Sequence, residues 1–355
     1  MVTWKDHLMM RQPIGTWKTI AAAVVVFGSM VASGSPVRAA TSVADPGSVD
    51  SYTFAVIGDT PYGDAAAVAF PGNIAQINAD PTVQWVDHLG DIKSGSTVCS
   101  DDYYSRIRKN FDTFEDPLVY TIGDNEWTDC HRPNNGAYNP LERLAAIRKI
   151  FFPQPWFTLG RDPARVETQA EQGFPENVRW RRAGVAFAAL HIVGSNNSLA
   201  PWTGNTTATP EQTAEVLART AATIEEIRDS FADARRHHDR AVVLLTQADM
   251  FDATVTNPAY ADYYAFTPIV SAIAREAARF GKPVYLFNGD SHVYNSDHPL
   301  AAGSAWLNFY GVTTPADKLT RITVDGSNNA TNYLRVTVKP SSTQVLGWER
   351  IPFTS

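Results

Sequence analysis

The stretch Leu118–Cys130, LVYTIGDNEWTDC, decides the fold of this chain. It opens with a run of apolar and β-branched residues, reaches Gly123, and continues at once with Asp124, Asn125 and Glu126. This order predicts a buried strand that stops and delivers polar side chains to the loop at its carboxyl end. In open α/β sheets, ligands bind at that end of the strands.

Three other apolar runs end in the same way. Each reaches a Gly-Asp pair, and the last also carries a histidine two residues later; the residues delivered are Asp59, Asp91, Asp290 and His292. One such strand end is common and means little. Four of them predict that several carboxylates meet at one place, where the crowding of negative charges calls for a cation.

The composition, with 44% hydrophobic and 19% charged residues over 355 positions, is that of a globular protein with a large core. The periodicity predicts strands over 52–58, 83–89, 118–122, 177–182, 185–193, 241–245 and 284–287, and helices over 65–77, 101–114, 140–152, 210–238 and 268–280. We expect a long ordered loop over 153–173 and a β-rich segment from Trp306 onward. This order predicts an α/β fold in which two packed, mixed β-sheets are flanked by helices, as a single domain over 52–355.

The first 39 residues have the pattern of a secretory signal peptide. Basic residues precede an apolar run over 20–33, and small residues at Val37 and Ala39 suit a cleavage site. The run is shorter than the roughly 20 residues that span a bilayer. We therefore expect an exported protein, periplasmic or extracellular, with no stable membrane anchor and a flexible mature terminus over 40–51. A buried amino-terminal helix is the alternative.

The charge excludes some partners. Removing residues 1–39 takes away four basic residues and one acidic residue, so the net charge moves from −7 to −10. The mature chain has no Lys/Arg cluster, and we expect no binding to a nucleic-acid backbone.

The chain has two cysteines, Cys99 and Cys130. Each follows an aspartate-bearing strand end, so under oxidising conditions we expect one disulfide that ties two site loops together. Two unrelated buried thiols are the alternative.

These strand ends resemble the motifs of the calcineurin-like metallophosphoesterases. The family has Asp-x-His, Gly-Asp, Gly-Asn-His-Glu/Asp, a lone His and Gly-His-x-His at successive strand ends of a β-sandwich. The stretches similar in order and spacing over residues 52–300 are Asp59–Tyr62, Gly90-Asp91, Gly123–Glu126, Thr246-Gln247 and Gly289–His292. The resemblance implies the same sandwich, with Asp59, Asp91 and His292 in ligand positions and Asp91 bridging two metals.

The departures from the family pattern replace nitrogen ligands by oxygen. Pro61 stands in the position of a ligand His, and Tyr62 or Thr60 could approach the metal instead. Asp124 replaces a ligand Asn, and Asn125 replaces the catalytic His. Gln247 replaces the lone His, and Asp290 replaces the first His of the last motif. One metal pocket would hold Asp91, Asp124, Gln247 and Asp290, and the other Asp59, Asp91 and His292. Oxygen-rich sites suit Mg²⁺, Mn²⁺ or Ca²⁺ better than Zn²⁺ or iron.

The resemblance implies hydrolysis of a small phosphomono- or phosphodiester by a metal-activated water at a two-metal site. Asn125 donates a hydrogen bond but no proton. His131 could assist the leaving group instead, and Arg132 could hold a phosphate oxygen. The alternatives are a non-catalytic relative that binds a cation or ligand, loop-capping carboxylates without a metal, and hydrolysis of a non-phosphate ester. The substrate and the oligomeric state are left open.

Overall fold

The computed structural model describes residues 51–354. The predicted signal peptide and nearly all of the predicted flexible terminus lie outside these residues. Among residues 51–354, each helix is too short or too polar to span a bilayer.

The first sheet has five strands in the order β12-β11-β1-β2-β3. Strands β1, β2 and β3 are parallel, whereas β11 runs antiparallel to both β1 and β12. Their bounds are β1 Tyr52–Ile57, β2 Val86–His88, β3 Leu118–Tyr120, β11 Asn332–Val338 and β12 Leu346–Pro352.

The second sheet has seven strands in the order β4-β5-β6-β7-β8-β10-β9. Strands β6, β7, β8 and β10 are parallel, and the strands at both edges are antiparallel to their neighbours. Their bounds are β4 Glu167–Gln169, β5 Phe174–Arg182, β6 Val185–Ala189, β7 Ala241–Leu245, β8 Val284–Asn288, β9 Asn295–Asp297 and β10 Leu319–Thr323.

The two sheets pack face to face because alternate residues of their strands are apolar. On β1, Phe54 and its neighbours two residues away point into the space between the sheets, where they meet Phe187 and Phe287. Ala55 and Ile57 point the other way, into a second core beneath the helices of the first sheet. A third core lies between the second sheet and its own helices. The predicted fold, two mixed sheets flanked by helices, is confirmed.

The helices begin and end where the sequence signals lie. Thr209 caps the longest helix through a capping box with Gln212, and Gly281 ends the helix that follows β7. The right-handed α-helices of residues 51–354 are Gly63–Asn78, Asp101–Phe111, Pro140–Phe151, Pro210–Arg236, Thr267–Phe280 and Ala305–Phe309. A short segment, Gly194–Ser198, is helical with left-handed φ values at Ser195, Asn196 and Asn197.

Several local predictions were wrong. The predicted loop over 153–173 contains β4, which pairs with β5 across a register shift. A short helix, Ala305–Phe309, begins after the cap Ser304 in the segment that was predicted to be β-rich. The strands predicted over 83–89, 118–122 and 185–193 are regular only over Val86–His88, Leu118–Tyr120 and Val185–Ala189.

Candidate metal centre

The predicted strand ends meet at one edge of the sandwich. Parallel strands β1, β2 and β3 deliver Asp59, Asp91 and Asp124, while β7 and β8 of the other sheet deliver Gln247 and Asp290. The two sheets are joined here by hydrogen bonds: the Asp290 backbone N–H donates to both carboxylate oxygens of Asp59, at 3.1 and 3.0 Å.

Asp59 and His292 are in direct contact, with 3.2 Å between His292 Nε2 and Asp59 Oδ1. One ligand atom from each of Asp59, Asp91 and His292 lies within 4.8 Å of the other two. Two carboxylates and one imidazole, presented so close together, fit a divalent cation.

Asp91 is held by neutral donors. Tyr62 Oη and Asn125 Nδ2 each donate to Asp91 Oδ2 at 2.7 Å, and the Asn125 backbone N–H donates to Asp91 Oδ1 at 3.1 Å. Tyr62 therefore reaches the candidate metal centre through Asp91. Asn125 also donates to Tyr62 Oη at 2.7 Å, so its amide is committed to orienting Asp91.

A buried Glu-Lys layer lies beneath Asp91. Glu126 Oε1 accepts hydrogen bonds from the backbone N–H of Asp91 and of Gly123, at 3.1 and 2.7 Å, and from Tyr120 Oη at 2.7 Å. The ammonium of Lys93, which has no exposed surface, donates to the Asn125 carbonyl at 2.6 Å. Burial raises the pKa of Glu126 to about 7 and lowers that of Lys93 to about 8. This layer fixes the loop that carries Asp91.

Asp124 contacts the second sheet. Ser195 Oγ donates to Asp124 Oδ2 at 2.7 Å, and Gln247 Nε2 donates to Asp124 Oδ1 at 3.4 Å. The Gln247 Oε1 atom accepts the Gly194 backbone N–H at 2.7 Å. In this arrangement Gln247 orients its neighbours, and its predicted role as a metal ligand stays a prediction.

Gly194 lies where two carboxylates converge. A Cβ atom at this position would be 2.7 Å from Asp124 Oδ2 and 2.9 Å from Asp290 Oδ1. No side chain fits there, so glycine allows the two carboxylates to face the same point. Asp124 and Asp290, together with Asp91, could hold a second cation.

The backbone is strained at this edge. Four residues here have backbone φ angles in the left-handed region, which residues other than glycine seldom adopt. The angles are 50° for Asp59, 54° for Asp91, 71° for Asp290 and 63° for His292. Such conformations cost on the order of 1–3 kcal/mol each and cluster at functional sites. The strain turns each side chain back toward the space between the strand ends.

Burial and mutual repulsion make ionised carboxylates unfavourable here. Burial, followed by the charges of Asp124, Glu126 and Asp59, holds the pKa of Asp91 well above its ordinary value. Burial and the charges of Asp124 and Asp59 do the same for the pKa of Asp290. A bound cation would offset both effects.

Of the predicted catalytic residues His131 and Arg132, contacts within residues 51–354 link only Arg132 to this cluster. His131 Nδ1 accepts the Thr203 backbone N–H at 2.8 Å, and its ring stacks on Trp202. Arg132 Nη1 is 2.7 Å from Asp129 Oδ2, and its side chain is 42% exposed. Ser195 Oγ lies 3.2 Å from Asp129 Oδ1, so the contacts continue from Arg132 to the acidic cluster through Asp129.

The disulfide is present between Cys99 and Cys130, as predicted. It joins the loops that follow β2 and β3, which carry Asp91 and Asp124. Closing a loop of 31 residues stabilises the fold by about 3–4 kcal/mol in the chain-entropy model.

Sequence reasoning missed Lys93, Ser195 and Asp129. The signal for Ser195 was available, since the run Gly194–Ser198 follows the strand predicted over 185–193 and repeats the strand-end pattern with small polar residues. Lys93 gave no signal, because a lysine in the loop after a strand is ordinarily solvated.

The comparisons with known proteins are distant. No protein-family model and no curated protein matches this chain. Similar solved structures include GAP50, the anchor in the inner membrane complex of Plasmodium, at 8% identity and a TM-score of 0.45, covering 86% of this chain and 90% of that one. Purple acid phosphatase PPD1 from yellow lupin is similar at 13% identity and a TM-score of 0.46, over 87% of this chain and 55% of that one. The NAD nucleotidase of Haemophilus influenzae is similar at 11% identity and a TM-score of 0.41, over 85% of this chain and 55% of that one.

This chain spans about half the length of the phosphatase and of the NAD nucleotidase. With TM-scores below 0.5, none of these similarities supports an inference about activity.

Proposed function

We propose that the chain is a metal-dependent phosphoesterase that hydrolyses a small phosphomono- or phosphodiester. The observation that carries this proposal is the convergence of ligand atoms from Asp59, Asp91 and His292 within 4.8 Å of one another. The calcineurin-like resemblance of the same strand ends agrees with it.

Two cations would share the ligands of the acidic cluster. Asp59, Asp91 and His292 would hold one, and Asp91, Asp124 and Asp290, supported by Gln247, would hold the other. Two divalent ions about 3.5–4 Å apart acidify a water and neutralise phosphoryl oxygens. Because the donors are chiefly oxygen, we propose Mg²⁺, Mn²⁺ or Ca²⁺, and metal analysis that finds tightly held stoichiometric zinc or iron would contradict this choice.

We propose that His131 assists the leaving group. Because its Nδ1 accepts the Thr203 N–H, the neutral ring carries its hydrogen on Nε2 and can donate a hydrogen bond to the leaving oxygen. Burial and the nearby charge of Arg132 lower the pKa of His131, so the neutral ring predominates at pH 7, and water would supply the proton that the leaving group takes up. We propose that Arg132, which is half-exposed beside Asn125, would hold a phosphate oxygen.

A non-catalytic, cation-binding protein is the second candidate. It is favoured by the Asn125 amide, which supplies no proton and is already bonded to Asp91 and Tyr62. The presence of the same carboxylates suits both candidates, so turnover decides between them.

Export is part of the proposal. The Cys99–Cys130 disulfide is typical of an oxidising compartment, which agrees with the signal peptide predicted over 1–39 and with a single functional domain over 52–355.

The test is turnover of bis(p-nitrophenyl) phosphate and p-nitrophenyl phosphate by chelator-stripped protein, with Mg²⁺, Mn²⁺, Ca²⁺ or Zn²⁺ added singly. We expect turnover with one of the first three, and its loss in Asp91→Asn. Asp87→Asn is the matched control, because Asp87 in β2 is as buried as Asp91 in the loop that follows, but within residues 51–354 its carboxylate bonds only Trp85 Nε1, at 3.1 Å.

Absence of turnover with every metal would reject the esterase. Calorimetric titration of Mn²⁺ into the wild type and into Asp91→Asn would then decide whether the cation site exists.

A further inference from the structure

A cavity of about 580 Å³ opens beside the acidic cluster. It shares Gly194, Ser195 and Asp290 with the proposed metal centre. A phosphoryl group at the metal centre would therefore place one of its ester substituents in this cavity. What lines the cavity decides which substituent it accepts.

The lining carries more negative charge than basic groups match. Among the described residues, no Lys, Arg or His lines this cavity, whereas Asp249, Asp252 and Asp262 do. The charge of Asp249 is matched by buried Arg321, whose Nη1 lies 2.6 Å from Asp249 Oδ1. Asp252 and Asp262 form no ion pair with any residue of 51–354. The cavity is thus unsuited to a second phosphate group.

Aromatic rings form one wall. Tyr263, Tyr264 and Phe266 line the cavity, and Tyr264 is 43% exposed. Tyr263 is held in place by edge-on packing against Phe309. Tyrosine faces attract organic cations, and the attraction grows when carboxylates lie nearby.

A second cavity, of about 410 Å³, shows the opposite arrangement. It lies along β4 and β5 and is rich in arginine, but Arg179 and Arg181 are neutralised by Glu226 and Asp239. Of these two cavities, the one with unpaired carboxylates therefore lies beside the metal centre.

We propose that the cavity selects phosphoesters in which one esterified alcohol carries a positive charge, as an amine or a quaternary ammonium group. The cation would lie between the rings of Tyr263 and Tyr264 and the carboxylates of Asp252 and Asp262. This specificity rests on the proposed phosphoesterase function, because the phosphoryl group must occupy the neighbouring metal centre.

The test compares p-nitrophenyl phosphorylcholine with p-nitrophenyl 3,3-dimethylbutyl phosphate, its uncharged carbon isostere. Both are diesters with the same leaving group and the same shape, so their kcat/KM ratio reports the positive charge alone. We expect a ratio of about 10 in favour of the choline ester, falling as salt is added.

The double variant Asp252→Asn/Asp262→Asn should bring this ratio close to 1. Asparagine at 252 keeps the oxygen that accepts the Thr254 N–H at 2.7 Å, so the turn is retained. The control Asp112→Asn/Asp229→Asn removes two half-exposed carboxylates outside the cavity and should leave the ratio unchanged.

Equal kcat/KM for both esters would overturn the cation specificity and leave the phosphoesterase standing. If neither ester nor bis(p-nitrophenyl) phosphate were hydrolysed, the phosphoesterase would fall, and choline titrated into the protein by calorimetry would judge the cavity directly. In that experiment, no heat at millimolar choline would reject the cation site.

Discussion

Two buried carboxylates, Glu176 in β5 and Asp91 after β2, show how partners decide the behaviour of an acid. Burial acts to raise the pKa of Glu176, but Arg148 and His191 outweigh it, and the pKa is lowered to about 2. Asp91 is just as buried, receives hydrogen bonds from Tyr62 and Asn125, and has its pKa raised.

The difference teaches what each region is for. Glu176 stabilises the fold as an ion, since its counter-charge, Arg148, is built into the chain. Asp91 and the carboxylates around it store electrostatic repulsion and backbone strain, which a divalent cation would relieve. The candidate metal centre therefore lowers the stability of the fold in a way that favours cation binding, as functional sites commonly do.

The largest effect on turnover is expected for Asp290→Asn. Losing a proposed ligand should lower turnover by at least about 100-fold, beyond the 10–100-fold typical of supporting residues. At pH 8, the metal-free variant should melt a few degrees higher, because a repelled charge is removed. Asp297→Asn should melt lower, because Asp297 pairs with buried Arg321. A lower melting temperature for both variants would contradict the claim that the carboxylates of the metal centre, unlike ion-paired carboxylates, destabilise the metal-free protein.

Gly194→Ala should lower turnover by about 10–100-fold. The added methyl group would press on Asp124 and Asp290 and push their oxygens apart. Gly347→Ala is the control, since a Cβ there meets nothing within 4 Å. Steady-state kinetics across a Mn²⁺ titration should show a lower apparent affinity for Mn²⁺ in Gly194→Ala only. An unchanged apparent affinity in Gly194→Ala would place Gly194 outside the centre.

Ser195→Ala should lower turnover by about tenfold. It removes the hydroxyl that orients Asp124 and Asp129, at 2.7 and 3.2 Å, but no proposed ligand. Ser230→Ala, whose hydroxyl bonds the Glu226 carbonyl in a helix, is the control. The apparent affinity for Mn²⁺ should weaken in Ser195→Ala alone, and equal affinity in both variants would argue against a positioning role.

Glu176→Gln should leave turnover unchanged and lower the free energy of unfolding by about 3 kcal/mol at pH 7. The folded pKa of about 2 is below the ordinary 4.5, so this contribution is full above pH 4.5 and is lost as the pH falls through about 2. Urea denaturation of both proteins from pH 7 to pH 2 should show the gap closing. A constant gap would contradict the ionic role of Glu176.

Much of the fold was readable because strands and helices differ in period. Every predicted helix is present, and the turn Ala183-Gly184, with φ values of 49° and 69°, joins the predicted hairpin. The short helix after Ser304 and strand β4 escaped prediction, because such brief elements are formed by their neighbours rather than by their own periodicity.

The candidate site was only partly readable. Asp59, Asp91 and His292 followed from the strand-end pattern, and the structure brings them together. The buried ammonium of Lys93 and the left-handed residues of Gly194–Ser198 did not follow. Both depend on contacts with distant segments, which local sequence does not encode.

The sequence by itself determined which residues end each strand, because alternation and glycine act locally. Only the tertiary structure decided which buried acids have a positive partner. Glu176 meets Arg148 across the fold, whereas Asp290 meets Asp59 and Asp124. The physical reason is that electrostatic energy depends on distance in space, and the chain brings together charges that lie far apart along it.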